Sequence, residues 1–127
     1  MSKVLIVDDD PDTVEAIEMI LQRAGFETEG AGSVGDGMAA IEAEEPDLLI
    51  LDVMMEQPDD GIRMAQELRR LGFTRPIIML TAISKVTGMR YGPDAELVPV
   101  DDYQEKPIEP AVLVARVTEL ISRQEGK

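Results

Sequence analysis

Acidic side chains stand at the ends of two short apolar segments of this chain. Asp8 and Asp9 follow the apolar run 3–7, and Asp52 follows the four apolar residues 48–51 of a second such run, 47–55. Runs of this length are typical of strands buried on both faces of a parallel sheet. The carboxyl ends of parallel strands meet at one edge, where ligands bind in open α/β folds. We therefore expect the three carboxylates to share a site, although on position alone Asp52 is equally suited to capping a turn.

Two further polar side chains are predicted at the same edge of the sheet. Thr81 follows the apolar run 76–80, and Lys106 follows the last predicted strand. Neighbouring carboxylates repel one another, and a cation that prefers oxygen ligands, such as Mg²⁺, would neutralise them. A hydroxyl and an ammonium group beside that cation suit the oxygens of a phosphoryl group. Asp52 would then be the nucleophile that accepts the phosphoryl group.

The composition of the chain excludes several other kinds of site. Its 127 residues contain no cysteine and no histidine, which removes thiolate and imidazole metal ligands and every catalytic pair that needs histidine. The formal net charge of −14 disfavours direct DNA binding. The sequence contains no run of about twenty apolar residues that could insert into a membrane, and its first residues do not resemble a signal peptide. We expect a cytoplasmic protein.

The hydrophobic pattern predicts strands and helices in strict alternation. Strands are expected over 3–7, 26–31, 47–53, 76–80 and 101–106, and a helix is expected after each of them. With right-handed crossovers, this order predicts an α/β fold in which helices cover both faces of a five-stranded parallel sheet. The length suits a single domain over residues 1–127.

Local signals predict where these helices begin and end. Asp10 is the expected N-cap of the first helix and Ser33 that of the second, while Gly25 and Gly72 are expected to end the first and third. The third helix is expected to bury Ile62, Ala65, Leu68 and Leu71. The fourth helix is expected to be short or distorted, because the segment 84–100 contains glycine and proline at several positions.

Four motifs, taken in order, resemble the receiver domain of bacterial two-component response regulators. They are Val-Leu-Ile-Val-Asp-Asp-Asp with Asp8 and Asp9, Asp-Leu-Leu-Ile-Leu-Asp-Val-Met-Met with Asp52, Ile-Ile-Met-Leu-Thr-Ala with Thr81, and Asp-Asp-Tyr-Gln-Glu-Lys-Pro with Lys106. The resemblance covers essentially all 127 residues. It implies a flavodoxin-like, doubly wound sheet, and a stand-alone receiver without an output domain.

The resemblance also implies a role for each site residue. Asp52 would be the phosphoacceptor, and Mg²⁺ would be held by Asp8, Asp9, Asp52 and the backbone carbonyl of Met54. Thr81 and Lys106 would contact the phosphoryl group, and Lys106–Pro107 would be a cis peptide. Tyr103 would be an aromatic switch, although it also suits a half-packed tyrosine on an edge strand.

The implied function is signalling by phosphorylation. A sensor histidine kinase or a histidine phosphotransfer protein would supply the phosphoryl group, and a conformational switch would signal to a downstream protein target. Such a domain is not an enzyme in the usual sense, although it catalyses its own Mg²⁺-dependent phosphorylation and dephosphorylation. Two alternatives stay open at this point. One is a receiver-like module that signals by protein binding without phosphorylation, and the other is a haloacid-dehalogenase-type phosphohydrolase that uses Asp8 as its nucleophile.

The chain departs from the family pattern in two segments. The loop after Asp52 is one residue longer than usual, and Glu56 stands where the family usually has proline. Pro99 and Val100 replace the usual Gly-Ala before the last strand. The first departure suggests an altered approach for a kinase or phosphatase, and the second weakens the case for dimerisation through the face beside the last strand.

Overall fold

The computed structural model of the chain describes residues 2–53, 55, 60–81, 100–105 and 108–125. In order, its elements are β1 (Lys3–Val7), α1 (Pro11–Arg23), β2 (Glu27–Ala31), α2 (Val34–Ala43), β3 (Leu48–Asp52), α3 (Asp60–Arg70), β4 (Ile77–Thr81), β5 (Asp102–Glu105) and α4 (Pro110–Glu125). The segment 84–100, where the fourth helix is predicted, lies outside these residues except for Val100. Most of the lengthened loop around Glu56 also lies outside them.

The five strands form one parallel sheet in the order β2-β1-β3-β4-β5. β3 lies in the centre of the sheet, and all five of its residues are buried, as its apolar sequence predicts. β2, of mixed polarity, is an edge strand, as expected. The predicted α/β doubly wound architecture is confirmed. Because β1 and β3 are neighbours, the residues that follow them lie side by side.

Alternate residues of the central strands enter two separate cores, one on each face of the sheet. Leu5 and Val7 of β1 pack with residues of α3 in the first core, and Val4 and Ile6 pack with α1 and α4 in the second. The helices therefore cover both faces and hold β1 and β3 rigidly between them. Among the helices that the structure describes, none is long and apolar enough to cross a membrane.

The predicted helix boundaries are confirmed at their caps. The Asp10 side chain accepts a hydrogen bond from the Asp12 backbone N–H at 3.0 Å, and Ser33 accepts one from Asp36 at 3.1 Å. Gly25 and Gly72 adopt φ angles of 99° and 96°, which glycine tolerates without strain. These local features end α1 and α3 where the sequence predicts.

The prediction that Leu71 belongs to the buried side of α3 was wrong. Leu71 is 65% exposed, although its backbone N–H still donates to the Glu67 carbonyl at 2.9 Å. Each three-residue step drifts by about 60° around a helix of 3.6 residues per turn, which carries position 71 away from the buried side. Ala65 and Leu68 are buried as expected. The remaining buried positions of α3 are Gly61 and Met64, which the apolar pattern did not identify.

Candidate functional site

The carboxylates of Asp8, Asp9 and Asp52 meet at the carboxyl edge of the sheet. One oxygen from each residue lies within 4.8 Å of the others. Asp8 and Asp52 are buried, and Asp9 is exposed. The structure therefore brings together the three aspartates that the sequence places after β1 and at the end of β3.

Asp8 is held in place by hydrogen bonds to β2 and to the loop that follows β1. Its backbone N–H donates to the Ala31 carbonyl at 3.1 Å, which extends the pairing of β1 with β2 by one residue. Its carboxylate accepts a hydrogen bond from the Asp10 backbone N–H at 2.9 Å. Asp10 itself caps α1, and its side chain also accepts from the Thr13 hydroxyl at 3.0 Å. The acidic loop thus supplies a helix cap, Asp10, and two of the clustered carboxylates, Asp8 and Asp9.

Asp52 is held by the central position of its strand. It is the last residue of β3 and lies opposite Leu80 of β4 in the sheet register. The next backbone N–H, that of Val53, donates to the Leu80 carbonyl at 3.0 Å. Pairing with β4 therefore continues one residue past Asp52.

Thr81 ends β4 one residue beyond the partner of Asp52, and its backbone pairs with Glu105 of β5. The Thr81 side chain is outside the described part of the structure, as are Met54, Lys106 and the Lys106–Pro107 peptide. The backbone places Thr81 at the predicted edge of the sheet. The roles expected for these residues stay predictions.

Tyr103 lies on the edge strand β5, opposite Met79 of β4. It is half-buried and packs against the first core, on the face of the sheet covered by α2 and α3. In the sheet register Tyr103 lies one residue before the level of Asp52, and β4 separates the two.

The donor set suits a hard divalent cation. Carboxylate oxygens are the ligands that Mg²⁺ and Ca²⁺ prefer, and the three aspartates offer one such oxygen each within 4.8 Å of the others. An open cleft of about 590 Å³ adjoins Asp8 and Asp9, and its wall includes Glu15 and Glu18. These carboxylates add to the negative potential through which a cation would approach.

α3 begins directly against the backbone of Asp52. The Gly61 N–H donates to the Val53 carbonyl at 2.9 Å, and Gly61 is buried. A Cβ atom built on Gly61 would lie 1.9 Å from the Asp52 carbonyl oxygen. The apolar pattern and the motifs do not predict a role for Gly61 beside Asp52; the available signal is a glycine at the start of a helix, shortly after a candidate nucleophile.

Comparison with protein families identifies this arrangement. A family model described as the response regulator receiver domain matches residues 4–118. The chain belongs to this family. The receiver-domain resemblance found in the motifs is confirmed, and the flavodoxin-like fold expected from it agrees with the parallel sheet described above.

Curated relatives of this receiver domain include regulatory proteins of two bacteria. The alkaline phosphatase synthesis transcriptional regulatory protein PhoP of Bacillus subtilis is 35% identical over 97% of this chain. The DNA-binding response regulator MtrA of Mycolicibacterium smegmatis is 35% identical over 98%. The match covers 50% of the first relative and 53% of the second. This chain therefore spans about half the length of the curated relatives it matches.

Solved receiver structures share the fold over nearly their whole length. The structure of a putative response regulator from Chloroflexus aurantiacus has a TM-score of 0.82 and 34% identity. The match covers 95% of this chain and 98% of that chain. The receiver domain of the Francisella response regulator 1452 has a TM-score of 0.83 and 28% identity, with 98% and 99% covered. Both likenesses extend over the sheet and the described helices.

Proposed function

We propose that this receiver domain accepts a phosphoryl group on Asp52 in a Mg²⁺-dependent reaction. The observation that carries the proposal is the convergence of Asp8, Asp9 and Asp52 within 4.8 Å at the carboxyl edge of the sheet. Family membership supports it, because the family model matches residues 4–118, a range that contains all three aspartates. We also propose that residues 1–127 form one domain.

Each residue of the site has a distinct task in this proposal. Asp8, Asp9 and Asp52 hold Mg²⁺ through their carboxylates, and the Met54 carbonyl is a further ligand. Bound Mg²⁺ supplies positive charge that offsets the carboxylates and the phosphoryl oxygens. Thr81 and Lys106 donate hydrogen bonds to the phosphoryl oxygens that remain.

In this reaction a phosphoryl group passes from a histidine nitrogen to a carboxylate oxygen of Asp52. A carboxylate oxygen of Asp52 attacks the phosphorus atom of a phosphohistidine, the P–N bond breaks, and its electron pair returns to the imidazole. An acyl phosphate forms on Asp52. The 127 residues contain no histidine, and a sensor histidine kinase or a histidine phosphotransfer protein fits the chemistry of the donor.

The signal then passes to a downstream protein target. Phosphorylation adds negative charge to a site that already holds three carboxylates, and the Thr81 side chain moves toward the new oxygens. Tyr103, half-buried beside β4, changes its packing in response. We place this partner in the cytoplasm, and the net charge of −14 argues against direct DNA contact by this domain.

Mass spectrometry of the intact protein tests this function. Wild-type protein incubated with acetyl phosphate and Mg²⁺ should gain the mass of one phosphoryl group, and Asp52→Asn should gain none. Asp12→Asn is the matched control, because Asp12 is an exposed aspartate in the first turn of α1. A phosphoryl group mapped to Asp8 would favour the phosphohydrolase alternative, and an unmodified wild type would favour a module that signals without phosphorylation.

A further inference from the structure

Gly61 makes an unusually close approach to the backbone that carries the proposed phosphoacceptor. A Cβ atom at this position would lie 1.9 Å from the Asp52 carbonyl oxygen and 2.8 Å from both the Asp52 carbonyl carbon and the Val53 Cα. Real Cβ atoms essentially never come within 3.0 Å of another heavy atom. Any side chain at residue 61 would therefore require a backbone to move by about 1 Å.

The neighbours of Gly61 distinguish it from the other glycines that the structure describes. A Cβ at Gly37 would meet the side-chain tips of Val7 at 2.9 Å and Met64 at 3.0 Å, and one at Gly30 would meet the Val14 side chain at 2.5 Å. Side chains can rotate away from such contacts. At Gly61 all three nearest atoms belong to the backbone of Asp52 and Val53, which has no equivalent freedom.

Neither side of this contact can withdraw without a cost. α3 is anchored in the first core by Met64, Ala65 and Leu68, each at most 2% exposed. Two hydrogen bonds hold the Val53 backbone. Its N–H donates to the Leu80 carbonyl at 3.0 Å, and its carbonyl accepts from the Gly61 N–H. A displacement forced at Gly61 would thus be shared with the strand end that carries Asp52.

We infer that Gly61 is a positioning residue for Asp52, because its missing side chain lets α3 begin against the Asp52 carbonyl and sets where that carboxylate stands relative to Asp8 and Asp9. The inference rests on the proposed function and deepens it. Carboxylates gathered within 4.8 Å leave little tolerance for a shift of about 1 Å. Supporting groups behind metal ligands typically change metal affinity by about 10- to 100-fold when they are altered.

Two glycine variants at opposite ends of α3 test the inference. Gly61→Ala should raise the dissociation constant for Mg²⁺ by about 10-fold or more in calorimetry, and should move the ¹³C resonance of the Asp52 carboxylate in the metal-free protein. Gly72→Ala is the matched control. Its φ of 96° makes alanine strained there, but a Cβ would meet nothing within 4 Å. It should lower stability and leave the Mg²⁺ affinity and the Asp52 resonance unchanged.

A stabilised background keeps the test decisive if Gly61→Ala folds poorly. Gly35 lies on α2 with a Cβ position that is 4.0 Å from its nearest neighbour, so Gly35→Ala should stabilise the chain. Gly61→Ala is then measured in that background. Wild-type Mg²⁺ affinity together with an unmoved Asp52 resonance would overturn the inference. A chain that stays unfolded there would also overturn it, since the contact would then serve the fold as a whole.

The outcome is separable from that of the proposed function. If wild-type protein binds Mg²⁺ and is never phosphorylated, the function fails while the change in Mg²⁺ affinity still tests Gly61. If wild-type protein binds no Mg²⁺, the Asp52 resonance of the metal-free protein still reports whether Gly61 positions that carboxylate. If phosphorylation occurs on Asp52 and Gly61→Ala behaves as Gly72→Ala does, the function stands and the positioning role fails.

Discussion

Asp101 and Arg69 form an ion pair of 3.0 Å at the edge of the sheet opposite the carboxylate site. The same Asp101 carboxylate oxygen accepts the Ile77 backbone N–H at 2.8 Å, and the Asp101 N–H donates to the Ile77 carbonyl at 2.9 Å. Arg69 also donates to the carbonyls of Phe73 and Arg75. This pair joins the end of α3 to the beginnings of β4 and β5, and so sets the register in which β5 enters the sheet.

Removal of the Asp101 carboxylate should destabilise the fold. Asp101→Ala leaves the Ile77 amide, on a fully buried residue, without this acceptor, and the expected loss in the free energy of unfolding is about 1–3 kcal/mol. Asp101→Asn should lose less, because its side-chain oxygen can still accept from Ile77. Urea unfolding measures both. Equal losses in the free energy of unfolding would show that the charge on Asp101, rather than its hydrogen bond to Ile77, stabilises the junction of α3, β4 and β5.

Mg²⁺ should stabilise the folded protein through the carboxylate site. A ligand that binds only the folded state adds about 2.7 kcal/mol when its concentration is 100 times its dissociation constant. Asp9→Asn and Asp52→Asn should each lose most of this increase, because each removes a ligand. Asp36→Asn removes a carboxylate from the first turn of α2 and should keep the full increase. Urea midpoints with Mg²⁺ and with a chelator would contradict the site if all four proteins responded alike.

Two glycines of α2 should respond to alanine in opposite directions. Gly35→Ala should raise the free energy of unfolding by about 0.4–1 kcal/mol, because alanine there has open space and restricts the unfolded chain. Gly37→Ala should lower it by about 1–3 kcal/mol, because the new methyl group would press on Val7 and Met64. Thermal unfolding of the pair compares the two directly. A loss of stability in Gly35→Ala would contradict the described packing of α2.

The ion pairs of Lys3 should make a small contribution to stability that disappears at high pH. A hydrogen bond to Glu29 at 2.7 Å, followed by one to Glu44, raises the pKa of Lys3 above its usual 10.5. The charged form is therefore favoured in the folded state, and its contribution is complete below about pH 10.5 and is lost as the pH rises through the higher folded value. Because both glutamates are well exposed, we expect about 0.5–1 kcal/mol.

Lys3→Met isolates this contribution. The difference in unfolding free energy between wild type and Lys3→Met should be constant from about pH 7 to 9 and should shrink above about pH 10.5. Urea unfolding across that range measures it. A difference that is still undiminished well above this range would assign the effect of the substitution to lost packing of the lysine stem.

Phosphorylation of Asp52 should alter the surroundings of Tyr103. The chain has two tyrosines and no tryptophan, so Tyr103 is the only intrinsic fluorophore of this kind in Tyr91→Phe. If Tyr103 turns inward, acrylamide should quench its emission less after treatment with acetyl phosphate and Mg²⁺. Tyr91→Phe combined with Asp52→Asn is the control and should not respond. Unchanged quenching in a protein shown by mass to be phosphorylated would remove Tyr103 from the switch.

The sequence predicted much of the fold because the relevant interactions are local. The apolar run of β3, the Asp10 and Ser33 caps and the left-handed Gly25 each act within a few residues, and the structure confirms them. The burial predicted for Leu71 was wrong, because its three-residue spacing from Leu68 drifts off the buried side of the helix. The shared site of Asp8, Asp9 and Asp52 followed from the rule that parallel strands end at one edge.

The sequence alone determined which residue types could do chemistry and in which order the strands present them. Only the tertiary structure decided how close those residues come and what holds them there. Arg69 and Asp101 are 32 positions apart in sequence, and the contact of Gly61 with Asp52 depends on where α3 packs. Both depend on how separate elements dock, which hydrophobic periodicity does not encode, because it identifies the face that is buried without setting the distance to its neighbour.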